Sequence, residues 1–392
     1  NTGEKHTIDG VEMEFVYVLD TEAPVEIMIW LPQLKAFCTA EDMTHNMHNL
    51  QTLRGAKVRN GLLWSKAVDT AIERYGDQVE VSFSTHHWPT WGNERIVNYW
   101  EAQRDMYRYL HDQTLHLANR GLTPDEIAEE MKLPASLASQ FNCRGYYGTL
   151  SHNVKAQYDL YFGWFDGNPA HLNPLPPSEL GAKYVEAIGG ADKVLEVAKA
   201  SYAKGEYRWV ATLLDNLVFA EPENKEARQL LADTYSQLGY QAESGPWRNF
   251  YLTGAQDLLK KAVPYTSKLI NDGVLSQMDM GTLLDYCAIQ LNGEKAGGKE
   301  AVININFTDT KEKVMLMLNN GVLNHRLGSQ DKKADLTMEI AKMDFVKLFF
   351  GRTDLQTLHK TNKVKTTGDT KAIDIIRSAC EPADPNFNIV LP

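Results

Sequence analysis

The sequence predicts an α/β region, then a helical region, then an α+β region. Three observations predict this order. Strand and helix patterns alternate near the start of the chain, helical spacing runs through its middle, and period-two alternation returns after about residue 300. With 392 residues, 43% hydrophobic and 23% charged, the chain can form several cores, and we predict domains at residues 1–170, 171–264 and 265–392.

The first region contains four predicted strands and a helix. Apolar and charged residues alternate from Val11 to Tyr17, as they do in a half-buried strand. Residues 25–31 are nearly all apolar and end at Pro32, which predicts a strand buried on both faces. The remaining elements are a strand, a helix and a strand at residues 36–38, 61–75 and 79–83.

The helical patterns that follow have clear starts. Apolar residues recur at helical spacing from Asn93 to about Gly121, which predicts one long helix. Residues 123–126 then supply an N-cap threonine, a proline at the first helical position and a capping-box glutamate. After a proline-rich loop, a second helical region begins at Ser178 or Glu179.

A weak internal repeat lies within this second helical region. Offsets of 33 or 34 residues relate Ala198, Tyr202 and Gly205 to Ala232, Tyr235 and Gly239. The period is similar to that of tetratricopeptide hairpins. Because two copies are too few for a free-standing solenoid, we predict that these helices pack on another domain or subunit, and we expect a dimer.

The last region is predicted to be an independent α+β unit. We predict three strands in a meander at residues 303–307, 314–318 and 336–340, and helices near residues 343–350 and 370–379. The apolar strand faces would form a slot wherever no helix covers them.

Composition excludes several classes of protein. A net charge of −11 argues against a broad basic face for nucleic acid or anionic lipid. The four cysteines are far apart and indicate neither a disulfide framework nor a cysteine zinc site. No window approaches the roughly 18–20 apolar residues of a membrane span. The chain starts without a methionine or a signal-peptide pattern, which does not look like a natural beginning.

One short stretch before the first helix is the densest in side chains that carry chemistry. It contains Glu41, His45, His48, Asn49 and Arg54. Carboxylates and imidazoles are zinc ligands, and catalytic zinc sites combine them with an open position for water. The spacing alone is a weak signal, because His45 and His48 can equally form one face of a helix start and bond water or backbone.

Other charged residues stand at strand ends. Glu22 precedes the strand at 25–31, where layered α/β folds place ligands, although a solvated turn acid is an equal alternative. His86 and His87 end the strand at 79–83, and adjacent residues of an extended chain point in opposite directions. At most one of these histidines therefore faces a given site, and a structural role is favoured for each taken alone.

Residues 144–153 combine a guanidinium, two phenols, two hydroxyls, an imidazole and an amide, and include Tyr147 and His152. Such a cluster can bind an oxyanion and supply a proton to a leaving group. The alternative is a polar loop that packs between domains.

Four stretches resemble the alkyl sulfatases of the metallo-β-lactamase superfamily. They are residues 40–59, 86–92, 144–153 and 163–169. The resemblance spans the chain. It implies part of a metallo-β-lactamase αββα sandwich, a helical dimerisation domain with tetratricopeptide-like hairpins, and a C-terminal domain similar to sterol carrier protein type two.

In the family that the chain resembles, a dinuclear zinc site hydrolyses sulfate esters of alkyl chains, dodecyl sulfate being typical. Glu22, Glu41 and His86 match metal ligands of that family, with Glu41 between the two ions. The resemblance therefore implies two zinc ions and an alkyl sulfate substrate.

The resemblance also implies residues that handle the substrate. Asn49 and Arg54 match residues that hold the sulfate group, and His152 matches a proton donor to the leaving group. We place Tyr147 with the substrate-binding residues.

The family's H-x-H-x-D-H motif does not occur in this sequence. We therefore expect the chain to be a C-terminal portion that is completed by an N-terminal segment of the same protein, in a bacterium and periplasmic or secreted rather than cytoplasmic. The predicted function is zinc-dependent hydrolysis of alkyl sulfates. The alternatives are a non-catalytic dimeric fragment that binds alkyl chains through its C-terminal domain, and the same centre acting on phosphate or aryl sulfate esters.

Overall fold

The computed structural model describes residues 2–260, 271–384 and 386–392. The chain divides into two compact units, Asn1–Lys261 with Asn388–Pro392, and Ala262–Phe387. The predicted boundary at residue 264 lies outside the described residues. The predicted boundary at residue 170 falls inside the first unit and stays a prediction.

A six-stranded sheet, with its strands in sequence order, underlies the first unit. Its strands are β1 (Glu4–Ile8), β2 (Val11–Leu19), β3 (Val25–Leu31), β4 (Ala36–Cys38), β5 (Val81–Phe83) and β6 (Thr90–Trp91). Neighbours are antiparallel except β4 and β5, which are parallel. The chain crosses over between them through helix α1 (Gly61–Tyr75), as a parallel pair requires. Both strands therefore end at the same edge of the sheet.

One face of β2 and β3 is covered and the other is not. On the covered face, at most 4% of each residue is exposed for Val16, Val18, Met28 and Trp30. On the other face, 42–52% is exposed for Tyr17, Leu19, Val25 and Ile27. The prediction that β3 is buried on both faces is wrong, because no layer among the described residues covers its outer side chains.

Helices cover the inner face of this sheet. After α1, helix α2 (Asn93–Ala118) also packs on the sheet, and α3 (Pro124–Glu130), α4 (Ala135–Ala138) and α5 (Leu150–Phe162) pack on α2. Trp64 of α1 stacks on Tyr107 of α2 at 4.7 Å between ring centroids, and both are fully buried. The capping box at the start of α3 is confirmed, because Thr123 and Glu126 each accept a backbone N–H of the other.

Five more helices complete the first unit. They are α6 (Pro177–Ile188), α7 (Ala191–Ala203), α8 (Tyr207–Ala220), α9 (Lys225–Gln241) and α10 (Gly245–Leu259). The residues related by the predicted 33- or 34-residue repeat do not occupy equivalent structural positions. Gly205 lies in the turn between α7 and α8 with φ +80°, whereas Gly239 lies inside α9, where Leu252 leaves room for little more than a hydrogen.

Helix α2, with 26 residues, has the length of a membrane span but buries only one face. Among the helices that the structure describes, none is both long and apolar enough to cross a membrane.

The second unit is built on a five-stranded sheet of order β11-β10-β7-β8-β9. Its elements are α11 (Asp272–Gln277), α12 (Met280–Ala288), α13 (Gly293–Ala296), β7 (Ala301–Phe307), β8 (Lys313–Asn319), β9 (Val322–Leu327), β10 (Leu336–Ile340), α14 (Lys342–Phe349), α15 (Leu355–Lys360), β11 (Val364–Gly368) and α16 (Lys371–Ser378). The predicted meander is wrong, because β10 pairs in parallel with β7. Strands β9 and β11 were not predicted, since polar residues break their apolar alternation.

The apolar strand faces of the second unit are filled. Ile303, Ile305, Leu316 and Met338 are at most 1% exposed. They form one core cluster with side chains of α12, α14 and α16. The strand faces that we predicted would form a slot are therefore covered by helices.

Candidate metal centre

Three loops bring polar side chains together at the edge of the first sheet. Glu22 lies in the turn between β2 and β3, Glu41 follows β4, and His86 follows β5. His86 adopts the left-handed backbone conformation, with φ 71°, which is uncommon for a residue other than glycine and concentrates at functional sites. The sheet topology thus gathers the three residues that the sequence placed near strand ends.

Glu41 lies between two imidazoles. Its Oε1 is 3.0 Å from Nε2 of His86, and its Oε2 is 3.4 Å from Nε2 of His48. His48 in the first place, and then His86, lower the pKa of Glu41 to about 2 against the opposing effect of burial. Glu41 is therefore an ionised carboxylate at neutral pH.

His48 is 1% exposed, and its ring lies edge-on to Tyr147 at 4.7 Å between centroids. Its Nδ1 is 3.0 Å from the carbonyl oxygen of Asn49, while its buried Nε2 makes no hydrogen bond within the described residues. One donor atom each of Glu22, Glu41 and His48 lie within 4.8 Å of one another. Two carboxylates and an orphaned imidazole nitrogen at this spacing fit a zinc ion.

Arg59 is buried beside this cluster, with 6% of its surface exposed. Its Nε donates to the carbonyl oxygen of Glu22 at 2.6 Å, and its Nη2 donates to the Glu22 carboxylate. Its Nη1 donates to the main-chain oxygen and to Oδ1 of Asn49, at 2.8 and 2.6 Å. Because a guanidinium only donates, the amide oxygen of Asn49 faces Arg59 and its NH₂ group is left for another acceptor.

Two further acids, Glu26 and Asp42, lie beside the cluster and were not predicted from the sequence. Burial, with the charges of Glu22 and Glu41, raises the pKa of Glu26 to about 7. Asp42 is fully buried, which raises its pKa, and its carboxylate oxygens make no hydrogen bond of normal geometry within the described residues. The sequence offered a signal for Glu26, because it is a charged residue inside the apolar run of β3.

His45 lies apart from the cluster. Its Nε2 bonds Oγ1 of Thr90 at 2.8 Å, and burial lowers its pKa. No helix occurs between β4 and α1, so the alternative that His45 and His48 share a helix face is wrong. His86 and His87 have different partners, Glu41 and Asn46, but both line one cavity beside the cluster, because the backbone at His86 is left-handed and not extended as we expected.

Arg54 is exposed on the loop before α1. Its guanidinium makes no hydrogen bond or ion pair with any residue that the structure describes. The structure therefore does not tie Arg54 to the cluster, whereas Asn49 is tied to it through Arg59.

His152 is held at both ring nitrogens. Its Nε2 lies 2.6 Å from the carbonyl oxygen of Gln51, and its Nδ1 lies 3.1 Å from the indole nitrogen of Trp247. A carbonyl only accepts and an indole N–H only donates, so the ring is neutral and carries its proton on Nε2. Burial lowers the pKa of His152, which agrees with this neutral form.

A cavity of about 320 Å³ opens beside the cluster. Its lining includes Asn46, His48, His86, His87, Tyr146 and Tyr147. Tyr147 therefore shares a cavity with His48 and His86, while Asn49, Arg54 and His152 do not belong to this lining.

The chain is similar to known alkyl sulfatases along its length. Residues 123–261 match the family described as alkyl sulfatase dimerisation, and residues 268–392 match that described as alkyl sulfatase C-terminal. A linear primary-alkylsulfatase of Pseudomonas sp. is 46% identical, with 100% of this chain and 58% of the relative covered. An alkyl/aryl-sulfatase of Saccharomyces cerevisiae is 42% identical, with 99% and 60% covered.

A solved structure is also similar. The stereoselective inverting sec-alkylsulfatase of Pseudomonas sp. superposes with a TM-score of 0.97 at 43% identity, over 100% of this chain and 62% of that one. The chain belongs to the alkyl sulfatase family, and its mixed α/β architecture is that of this relative. It spans about three fifths of the length of the relatives that it matches.

Replacing Gly148 by alanine tests how the loop that carries His48 is held. A Cβ atom at Gly148 would lie 2.4 Å from the carbonyl oxygen of His48 and 2.8 Å from the backbone nitrogen of Asn49, neither of which can move aside freely. We expect Gly148→Ala to lower the free energy of unfolding by about 1–3 kcal/mol. In the nearby control Gly245→Ala, the new Cβ meets nothing closer than 3.7 Å, so urea unfolding should show little loss. Equal midpoints for the two variants would contradict this account.

The buried neutral state of His152 predicts a pH dependence of stability. Because its folded-state pKa is lowered, the unfolded chain takes up a proton below about pH 6.5 that the folded chain resists. Stability from this residue is therefore complete above that pH and is lost as pH falls, by up to about 1.4 kcal/mol per unit. Urea unfolding of the wild type between pH 7.5 and 5.5 should show a larger acid loss than His152→Gln. Parallel curves would show that His152 is not held neutral.

Proposed function

We propose that the protein containing this chain hydrolyses alkyl sulfate esters, such as dodecyl sulfate, to alcohol and sulfate with zinc as its cofactor. The proposal is carried by the cluster of Glu22, Glu41 and His48, whose donor atoms lie within 4.8 Å and include a buried nitrogen with no hydrogen-bond partner. Membership of the alkyl sulfatase family supports sulfate esters as the substrate class.

Glu22, Glu41 and His86 would hold the zinc, with Glu41 between two ions, and Nε2 of His48 would be a further ligand. The two oxygens of Glu41 face different imidazoles, His86 and His48, which supports a bridging position. When bound, two zinc ions would lower the pKa of a water molecule and screen the charge of the ester.

Asn49 and Arg54 would hold the sulfate group. The amide NH₂ of Asn49 is left for an acceptor, because its oxygen is used by Arg59. The guanidinium of Arg54, which has no partner among the described residues, offers a planar fork that matches two sulfate oxygens. Tyr147 would contact the substrate from the lining of the 320 Å³ cavity.

His152 would supply the proton that the leaving alcohol needs. Its neutral ring carries a proton on Nε2, which is donated to the carbonyl oxygen of Gln51. The transfer requires the leaving oxygen to take the place of this carbonyl. Trp247 keeps the proton on Nε2 by donating to Nδ1.

The protein would also include an N-terminal segment and form a homodimer. The exposed apolar face of β2 and β3 supports a covering segment, because Tyr17 and Ile27, which pair across the two strands, are 42% and 46% exposed. We propose that this segment supplies the remaining zinc ligands. The match of residues 123–261 to an alkyl sulfatase dimerisation family supports the homodimer.

We do not adopt the alternative of an alkyl-chain carrier. The strand faces on which it depends, those of Ile303 and Leu316, are packed against helices.

Glu41→Gln tests the proposed activity. An amide is a poor replacement for a bridging carboxylate, so we expect dodecyl sulfate hydrolysis by the complete protein to fall at least about 100-fold. The control is His45→Gln, four residues away on the same loop but bonded to Thr90, which should keep most of the activity. Turnover of the Glu41 variant equal to that of the control would refute the assignment.

A further inference from the structure

We propose that Arg59 is the positioning residue of the metal centre. It fixes Glu22 directly, and it orients His48, which faces Glu41, through the carbonyl group of Asn49. The inference deepens the proposed function and depends on it for the identity of the metal.

Arg59 is itself rigidly held. All three guanidinium nitrogens donate hydrogen bonds, and the side chain is buried. Its backbone is fixed too, because its N–H donates to the carbonyl of Leu50 at 2.8 Å and its carbonyl accepts from Nε2 of Gln157 at 2.9 Å. Gln157 belongs to α5, so the position of Arg59 is set by a helix and by a loop at once.

Arg59 binds Glu22 at two points. Nε of Arg59 binds its main-chain oxygen and Nη2 binds Oε1 of its carboxylate. This double contact fixes the direction of a side chain that otherwise lies in an open turn between β2 and β3. The fork geometry of a guanidinium allows both bonds at once, which a lysine ammonium on its flexible stem does not reproduce.

Arg59 also orients the imidazole ring of His48, which faces Glu41. Its Nδ1 lies 3.2 Å from Nη1 of Arg59 and 3.0 Å from the carbonyl oxygen of Asn49, which accepts from the same Nη1. Arg59 Nη1 therefore lies beside Nδ1 of His48 and also holds the carbonyl oxygen to which Nδ1 is bonded. The ring is aligned so that Nε2 points toward Oε2 of Glu41, 3.4 Å away.

Charge supports the same role. Glu22, Glu26, Glu41 and Asp42 crowd this region, and Arg59 is a buried, permanently charged cation beside them. Its positive charge offsets the repulsion among these acids. Outer partners of metal ligands act in this way, and their removal typically weakens metal binding about 10- to 100-fold.

The first test is the zinc affinity of the complete protein, measured by competition with a chromophoric chelator. We expect Arg59→Gln to bind zinc about 10- to 100-fold more weakly than the wild type. Arg59→Lys should lose most of the same affinity, because an ammonium group does not reproduce the guanidinium fork. Arg74→Gln is the matched control, because it removes another arginine–glutamate pair of the same unit, Arg74 with Glu14 at 3.1 Å. Wild-type affinity in either Arg59 variant would overturn the proposal.

A double variant separates positioning from general destabilisation. Because Arg59 acts through both Glu22 and His48, Glu22→Gln with Arg59→Gln should lose less zinc affinity than the product of the two single losses. Losses that multiply would show that Arg59 does not act through Glu22. Circular dichroism establishes that each variant is folded.

A second readout needs neither zinc nor a variant. The Nε–H of Arg59, buried and bonded, should exchange with solvent at least about 10-fold more slowly than that of the exposed Arg54, as seen by nitrogen-15 NMR of the zinc-free chain. Equal exchange rates would overturn the positioning role. Slow exchange in a complete protein that binds no zinc would instead uphold the arrangement of Arg59 and remove the metal from the proposed function.

Discussion

Repulsion between crowded carboxylates is the constraint on which the candidate centre depends. Glu22, Glu26, Glu41 and Asp42 lie near one another, with the buried Arg59 beside them. Removing one member of a buried ion pair typically costs about 3–5 kcal/mol, because the other charge is left uncompensated. Burial in the first place, and then the neighbouring acids, raise the pKa values of Glu26 and Asp42 and favour their protonated forms. The region is therefore built to accept further positive charge.

Loops hold this region, and the elements that brace them come from distant parts of the chain. Gly148 packs on the backbone of His48, which leaves no space for a side chain there. At the start of α10, Ser244 donates to the carbonyl of Tyr147 at 2.8 Å, and Trp247 donates to His152. Helix α10 thus supports both the loop of Tyr147 and the first turn of α5, which carries the proposed proton donor. Rigid support of this kind is what a site with narrow geometric tolerance requires.

Much of the fold could be predicted from sequence, and the reasons for the failures are physical. Periodicity and capping located α1, α2 and the capping box of α3, because these signals are local. The pairing of β10 with β7 could not be predicted, since register and strand order depend on contacts distant in sequence. Apolar content predicted a doubly buried β3, but composition does not reveal which face of a strand is covered.

The candidate site also contains residues that could be predicted from the sequence and residues that could not. The family resemblance pointed to Glu22, Glu41 and His86, which the structure brings to one edge of a sheet, whereas their positions at strand ends did not by themselves decide between a structural and a ligand role. Arg59 was not predicted, because a lone arginine carries no sign of its burial until the fold closes around it. His48 was flagged only together with His45, and the fold separated the two.

The central claim is that the cluster at this edge is a zinc centre. Its most direct test is elemental analysis of the purified complete protein, dialysed free of loose metal, beside a Glu22→Gln/Glu41→Gln double variant. The account predicts zinc retained near two ions per chain in the wild type and largely lost in the variant. A wild type without zinc, or a variant that keeps the same amount, would contradict it.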